Sequence, residues 1–323
     1  MILVTGGTGF IGRRLVPELA RLGHPVRVLS RQEPPSASPN DSIAYVQGDL
    51  LDARALEQAL DGVTSVIHLG AAVPRGRQQP RDLYRTNVEG TRMLAHASRR
   101  SSTVTTFIHC SSAGVYGEGS GARPHVEGDP LRARTEYQRS KLAAEGEVVA
   151  ALDERVRWVI LRPTDVHGPG RPATMDFLRL VRRRPAWLFA PAETIVHPTY
   201  VGDVVSAILL VLARRDLGCD VFNIGGDRPL PYADFVRLIG AMLGRRTVQI
   251  RLPSWTAAAA RAVEALMVRG GVRPPAPVSR LSRGVVNRAV DTTKAREVLG
   301  FAPEPLEAWL EQTVAWGLRE RLV

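Results

Sequence analysis

Apolar positions in the first half of the chain come in short runs separated by amphipathic stretches. Residues 1–5, 25–30, 43–47, 64–70, 104–110 and 156–162 read as strands, several of them near-continuous apolar runs of the kind buried on both faces. Between them, residues 10–22, 81–98 and 133–151 read as helices. This alternation predicts an α/β fold with a doubly wound parallel sheet and ligands at the carboxyl ends of its strands. Ser30 through Ser42, rich in Pro and Ser, is a loop after the second strand. Beyond Pro163 the regularity loosens, with Pro169, Pro172, Pro185, Pro191 and Pro198 punctuating short segments. The expectation is a sheet domain over residues 1–165 and a smaller, mainly helical lobe over 166–323, some segments of which return to the sheet domain. Trp255 to Val268 reads as an Ala-rich, largely apolar helix, a pattern more typical of core than of a substrate pocket.

The first strand runs straight into Thr5-Gly6-Gly7-Thr8-Gly9-Phe10-Ile11-Gly12, with glycines at positions 6, 9 and 12. A strand, a tight turn and then a helix N-terminus form a ready site for a pyrophosphate, because backbone amides and the positive dipole end converge there. Gly12 would let the helix lie close to the sheet. Dinucleotide binding is therefore the expectation, and the lobe would hold the substrate. At the end of the second strand an acid commonly holds the ribose hydroxyl of NAD, and an arginine accommodates the 2′-phosphate of NADP. Ser30 and Arg31 stand there, so NADP(H) is preferred and NAD(H) is the alternative.

Tyr137-Gln138-Arg139-Ser140-Lys141 places a tyrosine and a lysine four apart, on one helix face. A neighbouring ammonium favours phenolate and lowers a pKa that is ordinarily about 10. The chain uses arginine for nearly every positive charge, and its only lysines are Lys141 and Lys294. A lysine beside the tyrosine suggests that a compact ammonium is required there. Lys294 has the plainer reading of an exposed helix residue.

Together these residues resemble the extended short-chain dehydrogenase/reductase family, its epimerase/dehydratase-like branch with a Rossmann-type sheet. Gly48-Asp49-Leu50, His68-Leu69-Gly70-Ala71-Ala72, Asn87-Val88-Glu89-Gly90-Thr91, Ser111-Ser112-Ala113-Gly114-Val115-Tyr116-Gly117 and Leu161-Arg162-Pro163-Thr164 carry the likeness along the chain. The resemblance implies that Tyr137 moves a proton, that Lys141 holds the nicotinamide ribose and that Ser112 donates to the substrate oxygen. Asn87 would assist a proton relay. Cofactor contacts would come from Gly6, Gly9, Phe10, Ile11, Gly12, Ser30, Arg31, Asp49, Leu50, Leu69, Ala71, Tyr137, Lys141 and Pro163, and Asp49 could equally cap a helix. Tyr116 and His197 are the candidates for the substrate side.

Absences narrow the branch. Sugar-nucleotide 4,6-dehydratases of this branch carry an Asp-Glu pair after the hydroxyl residue, where this chain has Ala113-Gly114. The 3,5-epimerase/reductases use a Cys and a distant His, where Gly114 and Gly170 stand. What remains is oxidation or reduction at one carbon of a small carbonyl or alcohol, with 4-epimerisation of a sugar nucleotide as the alternative. Pro163-Thr164 in place of the Asn expected near a sugar-nucleotide diphosphate, and the Ser30-Arg31 pair, favour net redox. A non-catalytic NADP-sensing protein is the reading from another class, but such members typically lose the Tyr or the Lys.

Composition changes the picture little. At 323 residues and 44% hydrophobic the chain can bury a large core, and no apolar run approaches the roughly 20 residues that span a bilayer. Cys110 and Cys219 make no disulfide framework, and the seven histidines show no metal spacing. With the glycine loop beginning near residue 1 there is no room for a signal peptide, and a cytoplasmic location is expected. The net charge of +11 comes from arginines scattered along the chain and reads as a solvated basic surface rather than a nucleic-acid site. A homodimer is compatible with this reading.

Overall fold

A computed structural model describes residues 1–32, 41–73, 80–117, 123–182, 186–191, 194–253, 255–270, 272 and 289–323. Six of its strands lie where the apolar runs predict them: β1 (Ile2–Thr5), β2 (Val26–Ser30), β3 (Ile43–Gln47), β4 (Ser65–His68), β5 (Thr106–Cys110) and β6 (Arg157–Pro163). A seventh, Asp220–Ile224, comes from the second half of the chain and pairs in parallel with β6. The sheet order is Asp220–Ile224, β6, β5, β4, β1, β2, β3, all parallel. The order reverses between β1 and β4, the switch point outside which ligands sit in doubly wound sheets. β1 and β4 run in register, Ile2 opposite Ser65 and Thr5 opposite His68.

Strand side chains alternate between two buried faces. One face packs Ile2, Val4, Val26 and Ile108 against α1 (Gly12–Arg21) and α7 (Val201–Ala213). The other packs Leu3, Val66 and Phe107 against α2 (Ala53–Leu60), α4 (Gly90–Arg100) and α5 (Glu136–Ala151). Helix Thr293–Leu299 adds Ala295 and Leu299 to the first face. Lys294, expected to be an exposed helix residue, instead ties that helix to the seventh strand: its Nζ donates to Asp220 Oδ1 at 2.5 Å and to Val221 O at 3.0 Å. The lobe gathers Met175, Leu178, Phe235, Ile239 and Trp309 from α6 (Pro172–Arg182), α8 (Tyr232–Met242) and helix Leu306–Arg319.

The helix expected over 81–98 is broken. It runs as α3 (Pro80–Tyr84), a π-helical turn at Arg85–Glu89, and α4. Such one-turn π segments are rare and cluster at functional sites. The helix expected from residue 133 begins at Glu136, because Thr135 caps it: Thr135 Oγ1 accepts the Gln138 amide and Gln138 Oε1 accepts the Thr135 amide. That Thr-x-x-Gln box was legible in the sequence and gives the true start.

Candidate active site

The glycine loop follows β1 and opens α1. Gly6 takes φ of +69°, and a side chain there would meet Gly70 N at 2.7 Å across the switch point. A side chain at Gly12 would come within 2.3 Å of Gly6 O, so α1 can approach the loop only with glycine there. Gly9 is different: its lip is exposed, and an added Cβ would touch only Gly6 O, at 3.1 Å. Ile11 gives α1 no side-chain cap, and its first turn carries no acid. An uncapped helix start behind an exposed glycine lip fits the diphosphate of a dinucleotide.

The remaining residues expected to contact cofactor end on the same sheet edge. Ser30 closes β2, and its Oγ accepts the Gln32 amide at 3.1 Å. Arg31 is 75% exposed and only loosely paired, its Nε lying 3.9 Å from Asp49 Oδ2. Asp49 folds an Asx turn onto the Leu51 amide at 3.0 Å, and the cap of α2 is Asp52 instead, so the helix-capping expectation for Asp49 is corrected. Leu50 lies beside it, Leu69 and Ala71 follow β4, and Pro163 ends β6.

Ser112 sits two residues beyond β5. It caps the short 3₁₀ turn Ala113–Tyr116, its Oγ accepting the Gly114 amide at 3.1 Å and keeping its own proton to give. Tyr137 occupies the first turn of α5, half-buried. Lys141 is 3% exposed, and its Nζ donates to Cys110 O at 2.7 Å. Burial pulls its pKa below the ordinary lysine value, while Cys110 and Glu145 oppose the shift. The lysine is thus pinned to the last carbonyl of β5, beside the strand end that carries Ser112.

Two polar networks hold this arrangement. Asn87, in the π turn, accepts the Ala72 amide at 2.7 Å and donates to Ala72 O at 3.0 Å and Ser140 Oγ at 2.9 Å. Its amide therefore spans from the loop after β4 to α5 between Tyr137 and Lys141. Behind it, Thr91 Oγ1 donates to Asn87 O at 2.6 Å and meets His68 Nε2 at 2.8 Å, while His68 Nδ1 meets Thr5 Oγ1 at 2.6 Å. Burial, with the Lys141 charge, holds the His68 pKa down at about 3, so the imidazole is neutral. Because Thr91 Oγ1 gives its proton to Asn87 O, it accepts from Nε2, which fixes the proton on that nitrogen.

The second network was not foreseen. Glu145, one turn beyond Lys141, accepts Ser111 Oγ at 2.5 Å and both Arg162 Nε at 3.0 Å and an Arg162 terminal nitrogen at 2.7 Å. The buried pair clamps β6, α5 and the residue before Ser112 together. A charged residue on the buried stripe shared by Lys141, Ala144 and Val148 was the sequence signal for it. Arg162 also donates to Tyr116 Oη at 2.9 Å and lies over that ring, 5.1 Å from its centre.

Both substrate-side candidates lie buried. Tyr116 is fully buried, its hydroxyl donating to Asn223 Oδ1 at 2.8 Å and its ring stacked on His125. His197 is buried as well; Nε2 lies 3.0 Å from Gly226 O and Nδ1 accepts the Val290 amide at 3.3 Å. Tyr116 is held by side chains and His197 by backbone groups, all of them long-range contacts that no local pattern announces. Among the described residues no group of three or more His, Cys, Asp or Glu side chains could hold a metal ion.

Known proteins share this sequence pattern and fold. The family model for the NAD dependent epimerase/dehydratase family matches residues 2–225. Human 3 beta-hydroxysteroid dehydrogenase type 7 is 31% identical over 97% of this chain and 94% of its own length. A putative dihydroflavonol 4-reductase of Synechocystis is 28% identical over 97% and 93%. Among solved structures, MoeE5 in complex with UDP-glucuronic acid and NAD superposes with a TM-score of 0.77 at 29% identity, covering 99% of each chain. With its glycine loop at the switch point of a seven-stranded parallel sheet, this chain belongs to the NAD dependent epimerase/dehydratase family, the extended short-chain dehydrogenases/reductases.

Proposed function

We propose that the protein is an NADP(H)-dependent reductase or dehydrogenase that works on a small, relatively apolar carbonyl or secondary alcohol, with Ser112, Tyr137 and Lys141 as its catalytic set. The observation that carries this reading is Lys141, buried one helical turn from Tyr137 and fastened to the strand end that leads to Ser112. A relative named for a hydroxysteroid dehydrogenase and another for a dihydroflavonol reductase support the substrate class.

A nicotinamide cofactor, when bound, supplies or takes the hydride. In the direction of reduction, Tyr137 gives its phenolic proton to the substrate oxygen. Ser112 donates to that same oxygen, because the Gly114 amide occupies one lone pair of Oγ and leaves the hydroxyl proton outward. Lys141 spends one proton on Cys110 O and has two for the ribose hydroxyls and the neighbourhood of Tyr137. Asn87, with its amide fully engaged, positions α5 rather than passing a proton. Gly6 and Gly9 to Gly12 hold the diphosphate, Asp49 and Leu50 the adenine, and Leu69, Ala71 and Pro163 the nicotinamide end. Preference for NADP(H) is supported by Ser30 and Arg31: no carboxylate ends β2, and among the described residues the exposed Arg31 guanidinium has only a distant partner to leave.

The alternative is a nucleotide-sugar 4-epimerase, favoured by the likeness to a protein solved with a sugar nucleotide and NAD. Turnover with 4S-deuterated NADPH distinguishes the two. A reductase transfers deuterium to the product carbinol carbon and consumes NADPH in proportion to ketone. Conversion of a UDP- or dTDP-sugar without label uptake or net absorbance change would favour the epimerase. Tyr137→Phe should keep cofactor binding and lower turnover about 100-fold or more; unchanged turnover would sink the catalytic assignment.

A further inference from the structure

Helix α9 (Trp255–Arg269) reads as core in the sequence, yet several of its described apolar side chains stand in solvent. Trp255 is 66% exposed, Val263 45% and Leu266 68%, and Val272 just beyond is 54% exposed. Trp255, Ala259, the neighbours Ala262 and Val263, Leu266 and Gly270, all exposed, recur every three or four residues and so form one continuous stripe along the helix. Scattered exposed apolar residues need no explanation, but a contiguous stripe does.

The sequence stretch that contains this helix is also unevenly charged. Arg245, Arg246, Arg251, Arg261, Arg269, Arg273, Arg280, Arg283 and Arg288 share the stretch 245–288 with a single acid, Glu264. Nine arginines against one acid give this stretch most of the net charge of +11, through its shortage of acids as much as its arginines. Apolar stripe and basic excess coincide in one segment.

We propose that α9 is a membrane-docking helix that lies flat on an anionic lipid surface, its stripe of Trp255, Val263 and Leu266 sunk among the acyl chains and headgroups. The proposal does not rest on the hydride-transfer reading. Fifteen residues of helix extend about 22 Å, too short for the roughly 30 Å hydrocarbon core, so the helix lies on the bilayer and does not cross it. Among the described residues no helix is long and apolar enough to cross a membrane. Apolar burial and attraction of arginines to anionic headgroups act together at such a surface, and a tryptophan suits the interface between them. A second copy of the chain is the poorer occupant, because pairing two such strongly basic segments brings like charges together.

Co-sedimentation of the full-length protein with phosphatidylcholine vesicles, with and without about one-third phosphatidylglycerol, tests this. The protein should pellet with the anionic vesicles only, and salt should release it. Trp255→Glu with Leu266→Glu should lower the partition at least ~10-fold with an unchanged near-ultraviolet dichroism spectrum. Trp255→Phe should still pellet, but should lose the quenching of tryptophan fluorescence by brominated lipid that the unchanged protein shows. No partition of the unchanged protein, equal partition of the double glutamate variant, or a solution dimer that the same variant dissociates would each overturn the proposal.

Discussion

Asp203 offers the sharpest test of how burial sets chemistry in this fold. It stands in the first turn of α7, with Oδ1 accepting the Glu304 amide at 2.9 Å and Oδ2 buried without a partner among the described residues. Burial raises its carboxyl from 3.8 to about 7; the Glu304 amide works against the shift, and the charges of Glu304 and Asp227 add to it. Because the folded state holds this proton more tightly than the unfolded chain, the stabilisation is fully present below about pH 4 and is lost as pH rises through about 7. About three pKa units correspond to about 4 kcal/mol in all, of which about 3 kcal/mol is lost between about pH 5 and 8.5. Asp203→Asn cannot titrate and keeps an oxygen for the Glu304 amide. Urea unfolding of both proteins at the two pH values gives the difference, with other titrating groups cancelling. The variant should gain about 2 to 3 kcal/mol on the unchanged protein between the lower and the higher pH. A difference that does not change with pH would refute the buried-carboxylate account.

Arg31→Ala should weaken NADPH by about 1 to 3 kcal/mol and hardly change NADH, measured by calorimetry; equal affinities for the two nucleotides in the unchanged protein would remove the assignment. Gly12→Ala forces a Cβ to within 2.3 Å of Gly6 O, so the protein should lose dinucleotide binding and melt at lower temperature, read by calorimetry and a thermal scan. Glu145→Leu leaves the Arg162 cation buried alone and should cost about 3 to 5 kcal/mol in urea unfolding. Glu145→Leu with Arg162→Met should recover much of that loss, whereas additive losses would show that the pair is not coupled.

Local physics made much of this protein legible from its residues. The glycine turn, the helix start behind it, the six strands and the shared face of Tyr137 and Lys141 all depend on atoms a few positions apart, where spacing alone fixes what meets. The Thr135-x-x-Gln138 cap belongs to the same class, since its two hydrogen bonds join residues three apart. Ser112, Lys141 and the loop after β4 converge because parallel crossovers return every strand to the same edge, a rule that the alternation of strand and helix already carries.

What the tertiary structure alone decided involves partners tens of residues apart. The seventh strand reaches β6 from residue 220, and Glu145 meets Arg162 across two elements. His197, polar and near the end of a proline-punctuated stretch, closes on Gly226 and Val290, and Tyr116 turns inward to Asn223. A buried polar side chain must find a partner wherever the fold brings one, and that partner carries no mark in the neighbouring sequence. The apolar stripe of α9 shows the reverse. Its period was readable, but whether it faced protein or solvent was set by which elements pack against it.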